Sequence, residues 1–341
     1  MSNFLAVKSI FLQHWVMYAN SIFSCRMQTN SNRNRKPPKN SQRNFMQTSL
    51  DCIICYMRQA RSTGLLATDN PLLQRQLLNA AGQYIEKINT DLSPPENAAG
   101  LYAVFADVLQ DDDPFAQVKQ EGNSLALSLQ EEVEQRIQAA KDPLRAALRV
   151  AIAGNIIDYG ALHSFDAAAT IEQCFEREFV VDHYSALREA LSLHDKPKVL
   201  YLCDNCGEIV FDGLLIKQLN RLGCQVTAAV RESPIINDAT LQDAQFCGLD
   251  IMCTVISNGT GCPGTPLDSC SAEFRQHFQE ADIIISKGMG NFESLSEVSA
   301  PIFFLFTVKC SRVADHLTEM QGFAPDFLQG TGEMVLLRQK G

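Results

Sequence analysis

No stretch of this 341-residue sequence is apolar for long enough to cross a bilayer, which takes about 20 residues in a helix. A membrane span and a membrane partner are therefore not expected. No internal repeat is visible. The histidines His163, His183, His194, His277 and His316 are scattered, with no pair at ligand-like spacing, so a histidine metal site is not expected. Acids are missing from the first 50 residues, where seven of the 29 Lys and Arg fall. That leader carries +7 and the remainder, with all 39 acids, carries −17. A body that acidic is a poor generic binder of nucleic acid, because phosphate contacts need Lys and Arg. The twelve cysteines show no disulfide framework. Several, such as Cys174, Cys224 and Cys253, sit inside apolar runs, where a free thiol acts as a small hydrophobe. This usage points to a reducing, cytoplasmic setting.

The chain divides by pattern. Residues 1–45 contain a broken apolar run and a polar, basic tract with Pro37-Pro38, a composition that cannot build a core. They read as a disordered or non-native extension ahead of Met46. Residues 46–195 read as a helical domain, with apolar residues at three- and four-residue spacing and Pro71, Pro95, Pro114 and Pro143 near helix starts. At about residue 196 the period changes. Strands expected at Lys198–Cys203, Gln225–Val230, Ile251–Ile256, Asp282–Ser286 and Ile302–Val308 alternate with helices at Ile209–Leu222, Asp238–Cys247, Asp268–Gln279 and Phe292–Val298. Alternation of this kind implies an α/β fold with a Rossmann-like parallel sheet over 196–320. Residues 321–341 read as a weakly structured tail.

Each loop after a strand carries polar chemistry: Asp204-Asn205-x-x-Glu208, then Arg231 to Asp238, then the glycine-rich 257–265, then Lys287-Gly288-x-Gly290-Asn291-Phe292-Glu293, and then Lys309. In a parallel sheet these loops converge on the edge where ligands bind. Asp204, Asn205 and Asp238 offer hard oxygens of the kind that suit Mg²⁺ or Mn²⁺. Lys287 and Lys309 offer point charges for phosphate. No G-x-G-x-x-G follows the first strand, which disfavours a dinucleotide.

These motifs resemble the metal-dependent damage-control phosphatase family, long catalogued as a domain of unknown function. Upstream, Cys52-Ile53-Ile54-Cys55 resembles the Cys-x-x-Cys of its prokaryotic-type branch, Gly154-Asn155-x-x-Asp158 its central-helix motif, and Lys309-Cys310 its closing pair. The resemblance covers about residues 46–320. It implies a helical domain on a Rossmann-like domain and hydrolysis of small phosphate monoesters, sugar phosphates or damaged phosphometabolites. It further implies metal ligands at Asp204, Asn205 and Asp238, with Mg²⁺ or Mn²⁺, or else Co²⁺ or Ni²⁺, as cofactor. Asn155 and Asp158 would contact the substrate. Lys287 and Lys309 would hold the phosphoryl group, with Glu208 and Asn291 as support, and Asp204, Asp238 and Lys287 would carry catalysis. At 203 and 206 a small or aliphatic residue is expected where this chain has Cys. With Cys52 and Cys55 these could form a four-thiolate zinc site, although packing explains them more simply. Two rival functions remain at this point, an S-adenosylmethionine-dependent carboxyl methyltransferase and a non-enzymatic metal-binding module. Substrate and oligomeric state are not readable.

Overall fold

A computed structural model describes residues 46–161 and 167–339, with the side chains of 155–170 outside that description. The expected 1–45 extension also lies outside the described residues. The first three helices are set by their caps. Before α1 (Leu50–Ala67) stands Ser49, in a capping box with Cys52. Asn70 accepts from Leu72 N at 3.0 Å to open α2 (Pro71–Ile85). Ser93 and Glu96 form a second capping box at α3 (Pro94–Leu109). Such caps satisfy N–H groups that the first helical turn leaves without partners. The apolar stripes of the three helices meet in one cluster that includes Tyr56, Ala60, Leu77, Leu101 and Phe105, and Ile235 from the sheet domain plugs into it.

The next helices, α4 (Ala116–Ala139), α5 (Pro143–Ala161) and α6 (Ala167–Glu176), do not form a bundle of their own. They share a continuous core with the sheet. The remaining elements are β1 (Phe179–Asp182), α7 (Tyr184–Ser192), β2 (Lys198–Leu202), α8 (Glu208–Arg221), β3 (Gln225–Val230), α9 (Leu241–Phe246), β4 (Thr254–Ser257), α10 (Ala272–Glu280), β5 (Ile283–Lys287), α11 (Met289–Leu295), β6 (Ile302–Val308), α12 (Ser311–Gln321) and β7 (Glu333–Arg338). The sheet order is β1-β7-β6-β5-β2-β3-β4. Strands β2 to β6 run parallel, whereas β7 is antiparallel to β6 and pairs β1 in parallel.

The strands alternate faces with period two. Val199, Tyr201, Val226, Ala228, Ile283 and Ile285 face the core under α5 and α8. Leu200, Leu202, Ile284, Phe304 and Phe306 face the core under α10, α11 and α12. Helix α8 is buried along most of its length. At Gly154 a side-chain carbon would lie 2.9 Å from Phe211, so the missing Cβ is what lets α5 lie against the start of α8. Among the described residues no helix is long and apolar enough to cross a membrane.

Three expectations are corrected. The tail expected at 321–341 contains β7, whose Met334 to Leu337 are buried inside the sheet. The region expected to be all helical contributes β1, a four-residue strand with only Phe179 and Val181 facing inward. The strand expected at Ile251–Ile256 begins as a 3-10 turn, Leu249–Ile251, and pairs only from Thr254.

Candidate active site

The C-terminal edge of the parallel strands carries the site. Beyond β2, Cys203 N still donates to Ala229 O at 2.9 Å, and the chain then pairs with the loop after β3. Asn205 and Asp238 form an isolated antiparallel bridge. Ala239 N donates to Asp204 O and Cys206 N to Asn237 O, both at 2.8 Å. This pairing holds Asp238 extended, which is why α9 begins at Leu241 and not at 238. It also brings Asp204, Asn205 and Asp238 together, with the Asn205 amide nitrogen donating to Asp238 Oδ1 at 3.3 Å.

The residue that organises this group is Arg231, to which the sequence reading assigned no role. It is 2% exposed. Its Nε donates to Asp238 Oδ2 at 2.7 Å. One terminal nitrogen donates to Gly264 O at 2.8 Å, Thr265 Oγ1 at 3.1 Å and Asn291 Oδ1 at 3.1 Å. The other has no hydrogen-bond partner among the described residues and lies 3.6 Å from Asp204 Oδ1. An arginine directly after a buried strand, facing two nearby acids, was the available signal.

Burial and the neighbouring Asp238 push the Asp204 carboxyl up to about 7, against the pull of Arg231, Lys287 and Lys309. Burial raises Asp238 as well, despite Arg231. Two carboxylates crowded out of water resist joint ionisation.

Behind them sits a second network. Lys287, 0% exposed, bonds Asp212 Oδ1 at 2.8 Å and also Glu208. Tyr201 OH donates to Asp212 Oδ1 at 2.6 Å. Burial pushes Glu208 up to about 7 even against Lys287. Burial also disfavours the Lys287 ammonium, but Asp212 and Glu208 outweigh it and its pKa rises. Lys287, expected to grip phosphate, is paired with Glu208, expected to support substrate, and with Asp212 inside this network. Asn291, expected to support substrate, is buried in the same region. It is 0% exposed, accepts from Arg231 and Thr265, and donates to Lys287 O at 2.7 Å and Cys203 O at 3.3 Å. It ties four loops together.

Lys309 closes the strand edge after β6. It is half-buried, and it has no hydrogen bond or ion pair among the described residues. Burial lowers its pKa, while Glu208 and Asp204 hold it up. Glu293, named in the sequence motif without a role, is half-buried, and burial plus Asp204 push it up to about 8. The side chains of Asn155 and Asp158 lie outside the described residues.

The thiols do not gather. Cys203 and Cys206 belong to the core beneath α8, whereas Cys52 belongs to the α1–α3 cluster. Among the described residues no group of three or more His, Cys, Asp or Glu could hold a metal ion. A thiolate zinc site therefore has no support there.

Gly288 is required by this geometry. Its φ is +81°, and any Cβ would overlap the Asp204 carboxylate. With ψ 161° it occupies a region open essentially to glycine alone. Gly288→Ala should cost about 1–3 kcal/mol in urea unfolding, from backbone strain alone. It should also displace Asp204.

A divalent cation fits the residues present. Two crowded, buried carboxylates and one amide converge there, and burial raises both acids despite Arg231, so their negative charge is not fully offset by the protein. So sparse a set of protein donors suits Mg²⁺ or Mn²⁺, which keep waters and take up substrate phosphate.

Comparison with known proteins extends the picture. Residues 48–323 match the family model described as the damage-control phosphatase ARMT1-like domain. A damage-control phosphatase of Pyrococcus horikoshii is 32% identical over 281 residues, 81% of this chain and 96% of that protein. One from Archaeoglobus fulgidus is 34% identical over 282 residues, 79% of this chain and 94% of that protein. The crystal structure of a DUF89 family protein from P. horikoshii superposes with a TM-score of 0.75 at 30% identity, covering 86% of this chain and 100% of that one.

Proposed function

Because this chain belongs to the damage-control phosphatase ARMT1-like domain family, we propose that it is a cation-dependent phosphatase acting on small phosphate monoesters, sugar phosphates or damaged phosphometabolites. One observation carries the reading: Asp204, Asn205 and Asp238 converge at the strand edge beside Lys309, a cation with no ion pair among the described residues.

Asp204, Asn205 and Asp238 would hold the cation, Mg²⁺ or Mn²⁺ in the first instance. When bound it supplies charge neutralisation at the phosphoryl oxygens. The chain's own groups do the rest. Arg231 fixes the rotamer of Asp238 by a hydrogen bond and attracts Asp204. Lys287 helps keep Asp204 ionised from behind. Lys309 attracts the equatorial phosphoryl oxygens as their charge shifts in the transition state. Glu293 follows the Lys287 loop on α11, and burial with the neighbouring Asp204 raises its carboxyl to about 8. Asn155 and Asp158 would meet the rest of the substrate from α5. Eleven free cysteines among the described residues fit a reducing, cytoplasmic setting.

The test is phosphate release from a panel of sugar phosphates and phosphorylated cofactors, with Mg²⁺, Mn²⁺, Co²⁺ and Ni²⁺ each supplied. Release should need a cation and stop in chelator. Turnover undiminished by chelator, or none with any cation, would sink the reading. Methyl transfer from S-adenosylmethionine without phosphate release would favour the rival enzyme. One equivalent of thiolate-held zinc and no turnover would favour a binding module. Lys309→Ala should lower kcat/KM about tenfold, the value of one charged hydrogen bond, and affect unfolding little. Steady-state kinetics checks this.

A further inference from the structure

Asp204 and Asp238 lie on separate loops, and their spacing needs a holder. The direct pairing of the two loops lies at the site itself. A second tie comes from α4, which carries none of the expected ligands. Asn123, in the second turn of that helix, is 1% exposed. Its Oδ1 accepts from Gly207 N at 2.6 Å. Its Nδ2 donates to Asp243 Oδ1 at 3.1 Å. The amide orientation follows from its partners, since a backbone N–H only donates and a carboxylate only accepts.

Each partner anchors one loop. Gly207, at φ +75°, closes the Asp204-Asn205 loop and caps α8. Asp243 closes the other loop. Its Oδ2 accepts from Thr240 N at 3.0 Å and Thr240 Oγ1 at 2.7 Å, in the capping box that starts α9 two residues beyond Asp238. One turn earlier on α4, Lys119 lies 3.8 Å from Asp243 and 2.6 Å from Asp113. The network is almost wholly shielded from water, with side-chain exposures of 6% at Lys119 and 13% at Asp243. Asn123 is bonded at both ends of its amide, and a buried bridge satisfied in this way favours one arrangement of the groups it joins.

We propose that Asn123 is a positioning residue, a clasp from the helical layer that fixes the separation of the Asp204-Asn205 loop and the Asp238 loop and thereby sets the affinity of the site for a divalent cation. The inference rests on the cation reading above. It adds that the ligand set is positioned by a helix outside the sheet domain. Partners of metal ligands at one remove are typically worth about 10–100-fold in affinity.

The test uses the full chain, stripped of metal, with Mn²⁺ alone as the probe in calorimetric titration. Asn123→Ala should weaken Mn²⁺ about 10–100-fold. It should also speed amide exchange in metal-free peptides spanning 203–208 and 238–243. Asn123→Asp alone keeps the acceptor for Gly207 but sets one carboxylate against another. Combined with Asp243→Asn, it restores a donor between the two positions. The swap should therefore recover affinity to about threefold of the starting protein, a non-additive result expected only of coupled sites. Alanine binding within about twofold of the parent would overturn the inference, and so would a swap no better than Asn123→Asp. If Asn123→Ala does not fold, the swap against Asn123→Asp decides. Parent protein that takes up no Mn²⁺ would instead defeat the cation reading itself.

Discussion

Asp204→Asn and Asp238→Asn are each expected to lower cation-dependent phosphate release by about 10³-fold or more. That corresponds to about 4 kcal/mol of transition-state stabilisation. Each removes one of the two carboxylates in a set that otherwise offers an amide. The same change at 204 should have the opposite effect on the metal-free fold. The Asp204 carboxyl is raised to about 7 in the folded chain by burial and by Asp238. A raised acid binds its proton more tightly folded than unfolded. Its contribution is whole below the ordinary carboxylate range and is lost as pH rises through about 7. At pH 8 in chelator, Asp204→Asn should therefore melt at a higher temperature than the parent, with the gap closing toward pH 5. Thermal unfolding at both pH values checks the sign. A variant dead in catalysis and stabler without metal would mark Asp204 as a group kept for chemistry at a cost to the fold.

Lys287→Met should cause the largest loss of stability, about 3–5 kcal/mol at pH 8, the usual consequence of leaving buried charges unpaired. Glu208 and Asp212 both lean on that ammonium. Glu208 is already raised to about 7 with the lysine present, and without it both acids must rise further. At pH 5 they can be protonated on folding, so the penalty should shrink. Adding Asp212→Asn should recover part of the loss at pH 8. Urea unfolding at pH 5 and pH 8 measures both effects. Activity should fall too, because Lys287 favours the ionised form of Asp204.

The sheet edge was legible because its signals are local. Short apolar runs followed by Asp204-Asn205, by Asn237-Asp238 and by Lys309 announce strand ends, and parallel topology places strand ends together. Pairing direction in the site was not legible. Whether Lys287 would face substrate or the interior depends on Asp212, a residue on α8 that looks like any helix acid until Tyr201 and Lys287 are seen to close on it. The partners of Arg231 were hidden for the same reason, since Asp238 lies seven residues on in its own loop, Gly264 in the loop after β4 and Asn291 on α11. Asn291 reads as a ligand by residue type and proves to be a fastener by burial. β1 escaped notice because two inward residues make no periodicity, and β7 because Met334 to Leu337 follow an irregular run, 322–332, that promised nothing after it.

The position of β7 has a consequence for how the chain is made. β7 lies between β1 and β6, so β1 cannot join the sheet until residues 333–338 exist. Arg338 N bonds His183 Nδ1 across 155 residues of sequence. Contacts so distant along the chain raise contact order and slow folding. While the chain is being synthesised, β6 presents an unpaired edge rich in phenylalanine, Phe303, Phe304 and Phe306, the kind of edge that recruits other chains. The last strand thus acts as a late lock, and chaperone demand should rise sharply in chains cut before Glu333.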